Sequence, residues 1–167
     1  VPAFVPPFGL PGSAKRIEFF PMSAPFGLLL ITGNQTHQEN YARAFAADNR
    51  CQLIGLTDAP DVPSRRQELN RDLASELGIP YLDDFEAAIS RDDVDFVSIC
   101  AEPERRLPLS IACIKAGKHL YLDKDPAPTV ADALQISAAV EEHDLLAQAF
   151  SLVRLPACEQ AKQIVES

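Results

Sequence analysis

Short apolar runs alternate with amphipathic stretches across residues 26–150, and this alternation constrains the fold more than any other feature. Phe26–Ile31, Cys51–Thr57 and Val94–Cys100 are largely apolar, the pattern of strands covered on both faces. Ile79–Leu82, His119–Leu122 and Leu145–Phe150 are shorter runs of the same kind. Between them, Gln35–Asp48 sets Tyr41, Ala42, Phe45 and Ala46 on one helical face. Ser64–Leu77 spaces Leu69, Leu73 and Leu77 at helical intervals and stops at Gly78. Asp84 caps a short helix through Ile89, Leu107–Ala116 ends at Gly117, and Thr129 caps a long helix to about His143. Strands that alternate with helices over short connections pair in parallel. The pattern therefore predicts a Rossmann-type, doubly wound α/β sheet of about six strands with helices on both faces.

Composition narrows the partners. The 167 residues carry a net charge of -9, which repels phosphate backbones, so nucleic acid is not an expected partner. No apolar run approaches the roughly 20 residues of a membrane span. A nucleotide cofactor stays compatible, because backbone N–H groups at a helix start can hold its phosphates. Cys51, Cys100, Cys113 and Cys158 lie far apart, form no C-x-x-C and read as small buried hydrophobes of a cytoplasmic protein. His37, His119 and His143 show no metal-ligand spacing, so no metal is expected. Asp83/Asp84 and Asp92/Asp93 read as solvated helix entrances, and neither a nucleophile elbow nor a P-loop is present.

In a doubly wound sheet, ligands bind beyond the carboxyl ends of the strands. The residues there are Gly33-Asn34-Gln35-Thr36-His37, Asp58, Ala101-Glu102-Pro103-Glu104 and Asp123-Lys124-Asp125-Pro126. The first loop matches a G-x-G-x-x-G fingerprint only at Gly33, because Gln35 and Gln38 stand where the second and third glycines belong. It reads either as a widened pyrophosphate loop or as a plain strand–helix turn. Asp58 ends the second run 25 positions after Gly33, near the spacing of a ribose-binding acid. A carboxylate there accepts both ribose hydroxyls and repels a 2′-phosphate, favouring NAD over NADP, although Arg65 and Arg66 soften that choice. The alternative role for Asp58 is a helix cap.

Val94-Asp95-Phe96-Val97-Ser98-Ile99 is followed by Ile114-Lys115-Ala116-Gly117-Lys118-His119-Leu120-Tyr121-Leu122-Asp123-Lys124. This ordered set resembles the glucose–fructose oxidoreductase / inositol dehydrogenase family (Gfo/Idh/MocA), with its V-D-x-V-x-I, A-G-K-H-V and E-K-P motifs. The resemblance runs from about Gly27 to the end of the chain. It implies the nucleotide-cofactor domain of an NAD(P)-dependent dehydrogenase acting on a sugar, polyol or related compound. It implies pyrophosphate contacts at Gly33, Asn34, Gln35, Thr36 and His37, with Asp58 on the adenine ribose. Ala101, Glu102, Pro103 and Asp123 fall on the nicotinamide side. The lysine of E-K-P maps onto Lys124, where it polarises the substrate oxygen or relays its proton.

The departures from the family pattern fall at the cofactor-facing positions. The proline after the lysine is Asp125, the T-P turn reads Ala101-Glu102, and the usual histidine of the next helix is Arg106. Asp123 and Asp125 flank Lys124 and are expected to hold its ammonium charged. Glu102, Glu104, Arg105 and Arg106 read alternatively as an ordinary charged helix entrance. These changes leave room for a second function: a non-catalytic Rossmann-like binding or scaffold module with a degenerate glycine loop. Residues 1–25 read as an irregular Pro-rich extension, 26–150 as the Rossmann domain and 151–167 as a linking helix. The single methionine is internal, at Met22, and the final helix has no cap. The chain is therefore expected to be part of a longer protein, inactive alone, whose C-terminal domain brings the small-molecule substrate, and to be prone to homo-oligomerisation.

Overall fold

The computed structural model of the chain describes residues 24–34 and 37–150. Most of the expected N-terminal extension, the loop residues Gln35 and Thr36, and the helix expected over 151–167 lie outside the described residues. The strands are β1 (Phe26–Thr32), β2 (Cys51–Asp58), β3 (Tyr81–Leu82), β4 (Phe96–Cys100), β5 (His119–Leu122) and β6 (Ala147–Ala149). The helices are α1 (Gln38–Ala46), α2 (Ser64–Leu77), α3 (Phe85–Ile89), α4 (Pro103–Lys115) and α5 (Val130–Glu142). All pairings are parallel, in the order β3-β2-β1-β4-β5-β6. This is the doubly wound Rossmann topology, with β4 central as its apolar run requires. No helix among the described residues is long and apolar enough to cross a membrane.

The core divides across the sheet. Leu28, Leu29, Leu30 and Ile31 of β1 are all fully buried. Leu28 and Leu30 pack with Ala42 of α1 and Leu73 and Ala74 of α2. Leu29 and Ile31 point the other way, toward Phe85 and Ile89 of α3, Leu109 and Ile114 of α4 and Ile136 of α5. Each such side chain contributes roughly 1.5–3 kcal/mol by leaving water.

Where a local cap exists, the helix starts where the sequence places it. Asp84 accepts from the Ala87 N–H and Thr129 from the Asp132 N–H. Two starts differ. Helix α1 begins at Gln38, not Gln35, because its fixing contact is the buried Gln38 side chain, which donates from Nε2 to the Ser98 carbonyl on β4 at 3.1 Å. Helix α4 begins at Pro103, not Leu107, since proline at the first helical position has its φ preset. At the opposite edge of the sheet, the Lys118 ammonium donates to the carbonyls of Arg91 and Val94 at 2.7 and 2.8 Å. The Leu146 N–H donates to His119 Nδ1 at 3.1 Å. Two residues of the A-G-K-H motif thus fasten the edge where β5 begins.

Gly27 is where two backbones meet. Its N–H donates to Asp95 Oδ2 at 2.7 Å and its carbonyl accepts from the Asp95 N–H at 2.8 Å. A Cβ on Gly27 would overlap the Asp93 carbonyl oxygen and press on Ile54. Gly27→Ala is therefore expected to destabilise the domain by about 3 kcal/mol, at the upper end of overpacking costs. Urea denaturation should show a lower midpoint at unchanged slope; an unaltered midpoint would contradict this packing.

Candidate functional site

Strand register brings the expected site residues to one edge. Thr32 is level with Asp58 on one side and with Cys100 on the other, and Ile99 is level with Leu122. The loops after β1, β2, β4 and β5 therefore leave the sheet together. They do so where α1 and α2 cover one face and α3, α4 and α5 the other, the switch point at which such sheets form a crevice.

In the first loop, Gly33 is buried and Asn34 exposed. A Cβ at Gly33 would overlap Glu102 Oε2 and lie 2.9 Å from Ala101 Cα, so the position admits only glycine while those groups stay in place. The Asn34 N–H donates to Glu102 Oε1 at 2.9 Å. The His37 N–H points at Cys100 Sγ, 3.2 Å away, and His37 caps α1 without a side-chain hydrogen bond. Gln38, in the place of the third glycine, fills the helix–sheet gap with its own amide: Ser98 Oγ donates to Gln38 Oε1 at 3.3 Å.

Asp58 caps no helix. Its Oδ1 accepts from Thr32 Oγ1 and Asn70 Nδ2, and its Oδ2 accepts from the Tyr81 hydroxyl at 2.6 Å. Burial and the Asp58 carboxylate push the Tyr81 hydroxyl well above its ordinary acidity range, so it stays a neutral donor. Arg71 lies over the Tyr81 ring at 4.0 Å. A carboxylate offers about four acceptor positions, and the protein fills three of them. Roughly one is left for a ligand, where the sequence pointed to two ribose hydroxyls. Beside Asp58 opens a cleft of about 520 Å³, lined by Ala59, Pro60, Asp61, Gln67 and Tyr81 among others.

On the other side of β1, Asp123 and Arg106 are both almost fully buried, 3.2 Å apart. Arg106 also donates to the carbonyls of Ala101, Asp123 and Asp125, tying the loop after β4 to the loop after β5. Tyr41 donates to Asp123 Oδ1 at 2.6 Å, and burial followed by this bond raises its pKa. Asp123 is thus the partner of Arg106 and Tyr41 and not the counter-ion of Lys124, a correction to the sequence reading. The neighbouring Lys124 is exposed on the crevice edge, with no ion pair among the described residues. Pro103 starts α4, and Ala101 is fully buried.

The sequence profile described as "Oxidoreductase family, NAD-binding Rossmann fold" matches residues 29–150. The chain belongs to the Gfo/Idh/MocA oxidoreductase family. It is 32% identical over 84 residues to the 4-carboxy-2-hydroxymuconate-6-semialdehyde dehydrogenase of Sphingobium sp. (strain NBRC 103272 / SYK-6), covering 50% of this chain and 27% of that enzyme. It is 28% identical over 116 residues to the levoglucosan dehydrogenase of Pseudarthrobacter phenanthrenivorans (strain DSM 18606 / JCM 16027 / LMG 23796 / Sphe3), covering 65% and 30%. The crystal structure of GenD2 from gentamicin A biosynthesis, in complex with NAD, superposes with a TM-score of 0.74 at 22% identity, over 92% of this chain and 42% of that one. These matches span less than half of each relative's length, and residues 29–150 are the NAD(P)-binding oxidoreductase domain.

As a Gfo/Idh/MocA domain, the described edge fits a dinucleotide at two points and opposes it at one. Gly33 brings no side chain to the first loop, and Asp58 holds an acceptor position beside a cleft. Against this, the Glu102 carboxylate occupies the Asn34 N–H that a phosphate would take. The resemblance sets Ala101, Glu102 and Pro103 on the nicotinamide side, with an ordinary charged helix entrance as the alternative for Glu102, Glu104, Arg105 and Arg106. For Arg106 that reading is overturned, because its guanidinium is a buried brace. Sequence reasoning also missed Thr32, Asn70 and Tyr81 as partners of Asp58, and Tyr41 as a partner of Asp123.

Removing one half of a buried pair strands the other charge. Arg106→Ala is expected to cost about 3–5 kcal/mol of stability. Arg71→Ala, which breaks the exposed pair with Asp83, should cost under about 1 kcal/mol. Chemical denaturation of the two variants side by side checks the contrast; equal losses would refute it.

Proposed function

We propose that this domain holds NAD(P) for a dehydrogenase that acts on a hydroxyl or carbonyl carbon of a sugar, polyol or related compound. The observation that carries the reading is the shared edge. Gly33, Asp58, the loop after β4 and Lys124 emerge together at the switch point of a domain whose family is established. NAD(P), when bound, supplies the hydride acceptor or donor. The chain's own residues bind and orient it. Gly33 and Asn34, with the loop through Gln35 and Thr36 to His37, offer backbone to the pyrophosphate. Asp58, held rigid by Thr32, Asn70 and Tyr81, accepts one ribose hydroxyl. Ala101, Glu102 and Pro103 border the nicotinamide side, and the Arg106–Asp123 pair fixes the two loops there. The exposed Lys124 ammonium faces the substrate oxygen, where it steadies developing negative charge or passes a proton.

Two curated relatives support the substrate class in a general way, one by a semialdehyde and the other by levoglucosan in its name. The two matches span 27% and 30% of those enzymes, so the substrate class is the part of the reading they support least. A second reading, a non-catalytic module, is favoured by the Glu102 carboxylate on the Asn34 N–H.

Calorimetric titration separates the two. The enzyme reading expects NAD to bind, and to bind at least about tenfold more tightly than NADP. The cleft beside Asp58 also carries Asp61, Asp83 and Asp84, whose charges oppose a 2′-phosphate. No heat with either cofactor at millimolar concentration would leave the non-catalytic reading. In the intact protein, Lys124→Met should lower kcat by about 10²–10⁴ while leaving NAD affinity nearly unchanged. An unchanged kcat would remove Lys124 from the mechanism.

A further inference from the structure

The loop after β4 carries a group that does not belong to a phosphate site. Glu102 Oε1 accepts the Asn34 N–H at 2.9 Å, and Oε2 lies directly over Gly33. The Glu102 side chain is only 19% exposed. A carboxylate that bonds the first-loop N–H and covers the bare glycine stands, in both charge and position, where a pyrophosphate would. The family's residue here is proline, whose ring has no charge and no acceptor to offer that loop.

We propose that Glu102 is an internal competitor for the pyrophosphate position, and that the dinucleotide enters only as this carboxylate leaves Asn34. The inference rests on the cofactor reading given above. The carboxylate is already held from the other side: Oε2 pairs with Arg105 Nε at 3.6 Å, one helical turn along α4, so a turn that brings Oε1 to the same partly exposed guanidinium releases the Asn34 N–H. Arg105 donates to the Pro60 carbonyl in the loop after β2, so the receiving guanidinium is already anchored across the crevice. With the carboxylate drawn to Arg105, the Asn34 N–H and the floor over Gly33 become available together. Without that movement, two like charges would share one donor.

The test uses the whole chain and three probes: NAD, ADP-ribose and adenosine. ADP-ribose carries the pyrophosphate and adenosine does not. Glu102→Ala removes both the charge and the acceptor; Glu102→Gln keeps the shape and removes the charge. Both variants should bind NAD and ADP-ribose more tightly than the parent, Glu102→Ala on the order of tenfold or more and Glu102→Gln by less. Adenosine affinity should not move. Thermal melts of each variant report that the fold is retained, and Glu102→Gln keeps the test open if Glu102→Ala melts early. Parent and variants binding ADP-ribose equally would overturn the competitor role alone, as would an equal gain for adenosine. Weaker binding by both variants would make Glu102 a contact that favours the cofactor and would also overturn it. Absence of NAD and ADP-ribose binding in parent and variants alike would sink the cofactor reading and this inference with it.

Discussion

Everything at the site depends on β1 being buried on both faces. A strand with Leu28, Leu29, Leu30 and Ile31 all out of water cannot sit at an edge, so β2 and β4 must pair on either side. Because the chain goes first to one side and then to the other, the helices that follow are sent to opposite faces. The crevice above Thr32 is the geometric result. No residue in that crevice is needed to create it.

What the crevice residues do is fix the loops around it, and they use two buried polar knots. One gathers Thr32, Asp58, Asn70 and Tyr81 from β1, β2, α2 and β3. The other gathers Tyr41, Asp123 and Arg106 from α1, the end of β5 and α4. Each knot draws on elements far apart in sequence, so each acts as a clasp that a loop alone could not supply. A fully satisfied buried network holds its members in one arrangement, and a partly satisfied one is costly. In the first knot Asn70 Oδ1 is buried without a hydrogen-bond partner among the described residues, whereas in the second Arg106 spends its donors on three carbonyls and the Asp123 carboxylate. Glu102 and Lys124 stand at the margins of these knots, the first bonded to the Asn34 N–H and the second exposed.

The sequence was legible where a signal is local. Ser64–Leu77 has its stop at Gly78 and Thr129 has its hydroxyl cap, and both helices begin and end within a residue of where those signals place them. The apolar run ending at Cys100 gave the central strand, although its first residues, Val94 and Asp95, lie before the ladder. Reading failed where the deciding partner is remote. Nothing beside Arg106 says that it is buried, because its partner Asp123 is 17 residues away at the end of another strand. Nothing beside Asp58 says that Asn70 and Tyr81 will fill its lone pairs. Glu102 read as a nicotinamide-side residue or a charged helix entrance, and its bond to the first loop was not legible because the donor is Asn34, 68 residues earlier. The candidate positions were readable from topology, but their occupancy was a tertiary fact.

The Lys118 anchor has a consequence of a different kind. It ties the start of β5 to the carbonyls of Arg91 and Val94, while Asp123 sits at the other end of the same strand. At about 3.3 Å per residue, the stretch from Lys118 to Asp123 separates the two ends by about 16 Å. That exceeds the range of roughly 7–10 Å within which substitutions couple. The sheet therefore behaves as two independently editable rims on one frame: changes at the anchored rim and at the crevice rim should combine without interference, so either can be rebuilt while the other is left alone.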